Sequence, residues 1–341
     1  MASKSCGRVP GRSRAIAFAR ALTFALAFFV TATVRADSGW APPTPAQPEE
    51  PAQDLPQLPE TGGPLPKWAE RINYYRTMAG LKPIRVAPDV TAAAEAHVRY
   101  LLNNFAARMR TPAGIGDAAF TEDPSRPGYS PEGAAVAANS QVAWGCGDTG
   151  IDRQIDRWVA GPFQRVAMLN PGLRGAGFGE ASGHGCWAAV LRLLPASQEV
   201  GPYAAAVEFP PDGSALSLSF NPGESPDPLT ACPGFPEVAG LPITLQLGRL
   251  IPVALESGSL TMNGHPVAHC TFDAQTYRNP SSAGQEYGRW ALRSNSTIVM
   301  VPESPLRAGN LYEVSLSVGG QKLLVVVPGT RTTKLMLRSF S

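Results

Sequence analysis

Apolar side chains recur at helical spacing through the first half of the chain and at strand spacing through the second. Trp68, Ile72, Tyr75 and Ala79 share one face of a helix predicted from near Pro66 to Gly80, and Asn73 and Arg76 lie off that stripe. Val90, Ala94, His97, Leu101 and Phe105 mark one face of a second helix, from about Pro88 to Met109. Ile151, Ile155, Trp158 and Val159 predict a third, which the Gly161-Pro162 pair interrupts; Phe163, Val166, Ala167 and Met168 then begin a short fourth that ends at Asn170-Pro171-Gly172. Gly175, Gly177 and Gly179 alternate with Ala176 and Phe178, the pattern of a strand that another element approaches closely. Ala181 to Gly185 reads as a hairpin loop, and Cys186 to Leu191 as a buried strand.

From Gly201 onward no helical pattern is expected. Seven short apolar or alternating runs follow: Ala204–Phe209, Ala215–Phe220, Leu241–Leu247, Val253–Leu260, Ile298–Val301, Tyr312–Val318 and Lys322–Val327. Turn signals at Pro210-Pro211-Asp212-Gly213, Asn263-Gly264 and Gly319-Gly320 punctuate them, which predicts an antiparallel sandwich.

Composition sets the frame around these elements. A chain of 341 residues with 44% hydrophobic content has material for packed cores in two domains. Lys4, Arg8, Arg12 and Arg14 precede an apolar run from Ala21 to Val34 and the small-residue site Val34-Arg35-Ala36, which predicts an export signal over 1–36, cleaved after Ala36. As an uncleaved anchor, the other reading, the run is short and Arg20 interrupts it upstream, so no transmembrane segment is expected after cleavage. Removing the six basic residues of 1–36 leaves 23 Lys and Arg against 27 acids, a formal charge of −4. No basic stripe for nucleic acid remains. Residues 37–65 hold eight prolines and five acids without a base, the composition of an extended spacer.

Several motifs together resemble the CAP superfamily of cysteine-rich secretory, antigen 5 and pathogenesis-related proteins, in its bacterial branch. Asn73 to Arg76 with Gly80-Leu81-Lys82-Pro83, then Ala94-x-x-His97-x-x-Tyr100, resemble the opening of that domain. Ala119-Phe120-Thr121-Glu122-Asp123-Pro124, Pro127-Gly128-Tyr129 and Glu132-Gly133 resemble its central loop, with Phe120 where the family has a histidine. The string from Trp158 to Gly179 resembles the family's Ser-Pro-Phe-His-Arg, Asn-Pro and Gly-x-Gly segment, with Gln164 at the histidine and Arg165 retained. Phe209 to Gly213, Glu224 to Pro228 and Pro305 to Tyr312 resemble bacterial immunoglobulin-like domains. The resemblance implies an α+β chain: a CAP-type α-β-α sandwich over 66–200, then an all-β immunoglobulin-like sandwich over 201–335.

The signal removes Cys6, and the remaining four cysteines suit disulfides in an exported protein. Of three pairings, Cys146 with Cys186 and Cys232 with Cys270 keep each bridge inside one expected domain; free buried thiols are the alternative. No Cys-x-x-Cys occurs to suggest zinc.

CAP domains line a cleft with two histidines and two carboxylates that hold a divalent metal or do acid/base chemistry. Phe120 cannot exchange a proton, and the second histidine is either absent or displaced to His184. The resemblance therefore marks His97, Glu122, Tyr129, Glu132, Gln164, Arg165 and His184 as cleft candidates and assigns no catalytic residue. Glu122 and Glu132 also read as ordinary solvated loop carboxylates, and His97 as a packed, hydrogen-bonded histidine. Gln164 and Arg165 are expected to cap or pair with the loop around Glu122. His265 and His269 read as surface residues, since Pro266 and the neighbouring turn argue against a helix that joins them. No Gly-x-Ser-x-Gly, His-Glu-x-x-His or P-loop is present.

The expectation is an exported, non-catalytic binding module for a lipid-like, apolar small molecule or a protein partner, with no cofactor. A metal-assisted hydrolase or protease and a cell-envelope adhesin are the alternatives.

Overall fold

The computed structural model describes residues 64–111, 113–147, 153–195, 201–214, 216, 220, 223–307, 309–318 and 321–328. The expected signal, most of the spacer, Ile151 and most of the Ala215–Phe220 run lie outside the described residues, as does the domain boundary expected near residue 200.

In the first half, α1 (Lys67–Met78), β1 (Arg85–Val86), α2 (Pro88–Met109), α3 (Pro131–Ala137), β2 (Ser140–Cys146), α4 (Gln154–Ala160), α5 (Pro162–Met168), β3 (Leu173–Gly183) and β4 (Cys186–Pro195) follow in order. The strands form one sheet in the order β1-β3-β4-β2, with β1 parallel to β3 and the other pairs antiparallel. The glycine alternation of β3 has a direct cause. A Cβ on Gly177 would lie 2.5 Å from the Thr91 nitrogen, and one on Gly179 would lie 2.4 Å from the Glu95 nitrogen, so α2 rests on bare strand backbone. On the opposite face, Ala176 and Phe178 join Ile72 and Tyr75 of α1 and Ile155 and Trp158 of α4 in a buried cluster. Helices on both faces of this sheet make the α-β-α sandwich.

Two polar residues off the α1 stripe are nonetheless buried. The Asn73 side chain accepts from the Ile84 nitrogen and donates to the Ile84 carbonyl, and the Arg76 guanidinium donates to the carbonyls of Lys82, Met168, Asn170 and Leu173. Burial without a carboxylate pushes the Arg76 guanidinium down to about 10. Both residues tie the end of α1 to the chain around it. The loop expected from Ala181 to Gly185 is tighter than expected: β3 and β4 are joined by His184-Gly185 alone, both at positive φ.

The second half contains β5 (Gly201–Phe209), β6 (Ile243–Arg249), β7 (Leu255–Met262), β8 (His265–Pro266), β9 (His269–Phe272), α6 (Ser282–Ser294), β10 (Thr297–Pro302), β11 (Leu311–Val318) and β12 (Gln321–Pro328). Two antiparallel four-stranded sheets, ordered β5-β6-β10-β9 and β12-β11-β7-β8, enclose Ile243, Leu245, Leu260, Ile298, Met300 and Val314. Asn263 and Gly264, both at positive φ, turn β7 into β8. His265 is exposed, whereas His269 on β9 bonds the carbonyls of Val267 and Gly258.

The expectation of a purely β second half is corrected by the 13-residue α6. Its sequence obscures it, because Gly284 and Gly288 are poor helix formers. Packing requires them: a Cβ on Gly288 would come within 2.4 Å of the Tyr277 ring. The Ser281 hydroxyl caps the helix at the Gly284 nitrogen.

All described residues belong to one compact unit, and the halves exchange core residues. Phe163 of α5 packs among Phe272, Tyr277 and Leu292 of the second half, 5.1 Å from Tyr277 ring to ring. Val207, Phe209 and Leu241 complete the core of the first. Disulfides join Cys146 to Cys186 and Cys232 to Cys270, as the sequence pairing has it. The first bridges facing residues of β2 and β4.

Candidate functional site

The residues marked by sequence fall into separate places. His97, halfway along α2, and the Glu122 side chain are both fully buried. His97 Nδ1 lies 2.8 Å from Glu122 Oε1, and His97 Nε2 lies 2.9 Å from the Ala119 carbonyl. A carbonyl only accepts, so Nε2 carries a hydrogen and donates. A further proton is then shared between Nδ1 and Oε1, as imidazolium with carboxylate or as imidazole with carboxylic acid. The Ser130 nitrogen donates to Glu122 Oε2, and a Cβ on Gly133 would lie 2.4 Å from Oε1. The solvated reading of Glu122 is corrected: its carboxyl is packed between α2 and the start of α3. The reason is a loop that folds inward, where Ala119 and Ser130 supply the remaining hydrogen bonds.

Glu132 is exposed, and Tyr129 packs part-buried against the α2 cluster. His184 is exposed at the β3–β4 turn, where its carbonyl accepts from Arg110. These placements do not fit a divalent metal. Both His97 nitrogens are engaged, the Glu122 carboxyl is enclosed, Phe120 offers no donor, and no group of three or more His, Cys, Asp or Glu among the described residues converges on one point.

Gln164 and Arg165 sit elsewhere than expected. Arg165 is fully buried and donates to the carbonyls of Val159 and Pro242, with its guanidinium 4.6 Å from the Phe209 ring centroid. Burial pushes it down to about 9. Instead of the loop at Glu122, the α5 start meets Glu224 of the second half. Glu224 Oε1 accepts from the Phe163 nitrogen at 2.8 Å and the Gln164 nitrogen at 3.2 Å. Those are the orphan amides that an N-cap side chain ordinarily serves. The cap position is Gly161, where a Cβ would lie 2.4 Å from Glu224 Cδ, so the distant carboxyl has taken the place of a local one. Glu224 Oε2 is buried with no hydrogen-bond partner among the described residues. Desolvation pushes this carboxyl up to about 8, against the lowering effect of the two amides and of Arg165.

Glu224 and Gln164 line a groove of about 1170 Å³. Along β4, Cys186, Ala188 and Val190 face α2, which leaves Leu191 and Leu193 for the opposite face. Gln141 and Ala143 of β2 pair beside them and complete the groove floor. Arg157 and Gln164 come from α4 and α5, and Arg249, Tyr287 and Trp290 from the second half. Trp144 and Trp187 also line it. The Trp187 indole lies over Gly145, where a Cβ would come within 2.8 Å of it. Of the seven residues marked by sequence, Gln164 alone lines this groove. The absence of a cap residue at Gly161 was the one sequence signal for an outside partner at α5; nothing local pointed to Glu224 as that partner.

This arrangement offers a concave surface with aromatic and amide groups and, among its described lining residues, one carboxyl, held by elements from both halves. No curated protein matches the chain. The sequence profile described as "CAP: Cysteine-rich secretory protein family" matches residues 69–190, from within α1 to within β4, and this stretch is a CAP-family domain.

Proposed function

We propose that the chain is an exported, non-catalytic binding protein that holds a small molecule in the groove between its CAP domain and its β-sandwich. The observation that carries this is the groove itself: about 1170 Å³, aromatic in part, and built jointly by two halves that share core residues. Ligand sites favour such concave junctions, with an apolar lining and few polar groups. A protein partner needs a broad, flatter surface, so the small molecule is the better fit of the two partner classes. Two disulfides suit an oxidising compartment, and no helix among the described residues is long and apolar enough to cross a membrane. The hydrolase reading has less support, since the described lining of the groove offers one carboxyl and includes neither His97 nor Glu122.

Tryptophan emission tests the reading. Trp144, Trp187 and Trp290 line the groove, so a ligand that enters it shifts or quenches the protein's fluorescence saturably. Trp290→Ala weakens that response. A screen of sugars, amphiphiles and aromatic acids in which none changes emission or raises Tm rejects the groove as a ligand site.

A further inference from the structure

Three features of the groove narrow the chemistry of its ligand. Trp290 is 42% exposed, and its ring lies 5.6 Å from that of Tyr287 at an interplanar angle of 41°, so α6 presents a bent aromatic plate. Elsewhere in the lining, Gln141 Oε1 and Glu224 Oε2 are shut off from bulk solvent and have no hydrogen-bond partner among the described residues. Each such atom is costly while unpaired, and an entirely apolar occupant leaves that cost in place. Third, Arg157, Arg192 and Arg249 line the groove, and Glu224 is the one carboxyl among its described lining residues. Desolvation raises that carboxyl to about 8, which disfavours its charge, so guanidinium groups outnumber carboxylates in the described lining although the chain without its expected signal carries a net negative charge.

Sugars match the first two features together. A pyranose ring has a face of C–H groups, weakly positive, which settles on the negative face of an indole or phenol ring. Its hydroxyls both donate and accept, so they serve an amide oxygen and a carboxyl alike. The arginines add a preference for sugars that bear carboxylates, which a guanidinium binds through two parallel hydrogen bonds.

We propose that the groove binds a short acidic glycan, with sugar faces on the Trp290–Tyr287 plate, hydroxyls on Gln141 and Glu224, and carboxylates on the arginines. The inference rests on the groove being the ligand site.

Calorimetry on the full chain without its expected signal tests both levels, with three probes: a short galacturonate oligosaccharide, a cello-oligosaccharide of the same length, and palmitate. The expected result is saturable binding of the galacturonate, at least about tenfold tighter than the neutral sugar and weakened by salt. Trp290→Ala lowers that affinity about tenfold or more, and Arg157→Ala narrows the gap between acidic and neutral sugar. Trp290 is among the exposed apolar residues, and an unchanged Tm verifies that its loss leaves the fold intact. Equal affinity for the two sugars overturns the acidic preference. Palmitate binding that Trp290→Ala weakens, without sugar binding, overturns the glycan and keeps the groove as a ligand site. No binding of any probe overturns the glycan, and the broader fluorescence screen then decides the groove.

Discussion

Glu224→Gln is the most informative single change at the junction of the halves. The carboxamide oxygen still accepts from the Phe163 and Gln164 nitrogens, so the α5 cap survives, while the ionisable group is lost. The wild-type carboxyl is raised from an ordinary 4.5 to about 8, chiefly by desolvation. The sign follows from that rise. Below about pH 4.5 the folded and unfolded chains both hold the proton, and the group adds no pH dependence. Between 4.5 and 8 the unfolded chain loses it and the folded chain keeps it, so wild-type stability falls as pH rises. At 1.36 kcal/mol per pH unit the full interval corresponds to ~5 kcal/mol, an upper figure because the fold relaxes around a buried charge. Arg165 and Asp227 are the charged groups that act on this carboxyl, and both remain in the variant. Urea denaturation of wild type and Glu224→Gln at pH 5 and pH 8.5 isolates the effect. The variant should gain at least ~2 kcal/mol on wild type between the two pH values. An offset that stays constant would refute the picture of a desolvated, half-partnered carboxyl at α5.

Other consequences are read more directly. Glu122→Ala leaves His97 Nδ1 buried without its partner and should cost ~3 kcal/mol or more in denaturant unfolding. It should also leave groove binding unchanged in the protein that remains folded, since neither residue lines the groove. Gly179→Ala drives a methyl into the backbone of α2 and should lower stability by at least ~1–3 kcal/mol, seen as a drop in Tm; an unchanged Tm would contradict the close approach. Phe163→Ala should cost ~3–5 kcal/mol and keep one cooperative transition by two probes, because the two halves share that core; separate transitions in the wild type would argue that they fold independently.

The sequence was informative where one physical rule acted alone. The ranges of α2 and α5 follow from apolar period and from the Pro and Gly at their ends, and both are as expected. The strand of alternating glycines has the close helix that its pattern implied. Opposed rules hid other elements. α6 carries two glycines that weaken it as a helix and fit it against Tyr277 and Asn279. α3 is seven residues long, too short for a periodic signal, and owes its start to the Ser130 hydroxyl at the Gly133 nitrogen.

The site shows the deeper limit. Family resemblance drew attention to the residues around Phe120, where the expected histidine is missing, and there His97 and Glu122 satisfy each other in the interior. The groove depends on residues that have no local reason to be noticed: Gln141 on an edge strand, Arg157 on α4, Glu224 in a loop, Trp290 on a helix obscured by its own glycines. What connects them is the exchange of Phe163 for Phe209 between two cores, together with the transfer of the α5 cap from residue 161 to residue 224. These contacts make the second half part of the site's wall. On this ground the adhesin reading, a CAP head carried by a separate β stalk, is the weaker account: a head cut free near residue 200 would lose Val207, Phe209 and Leu241 from its core and Glu224 from its helix. The unit in which to assay the proposed binding is the pair of halves together.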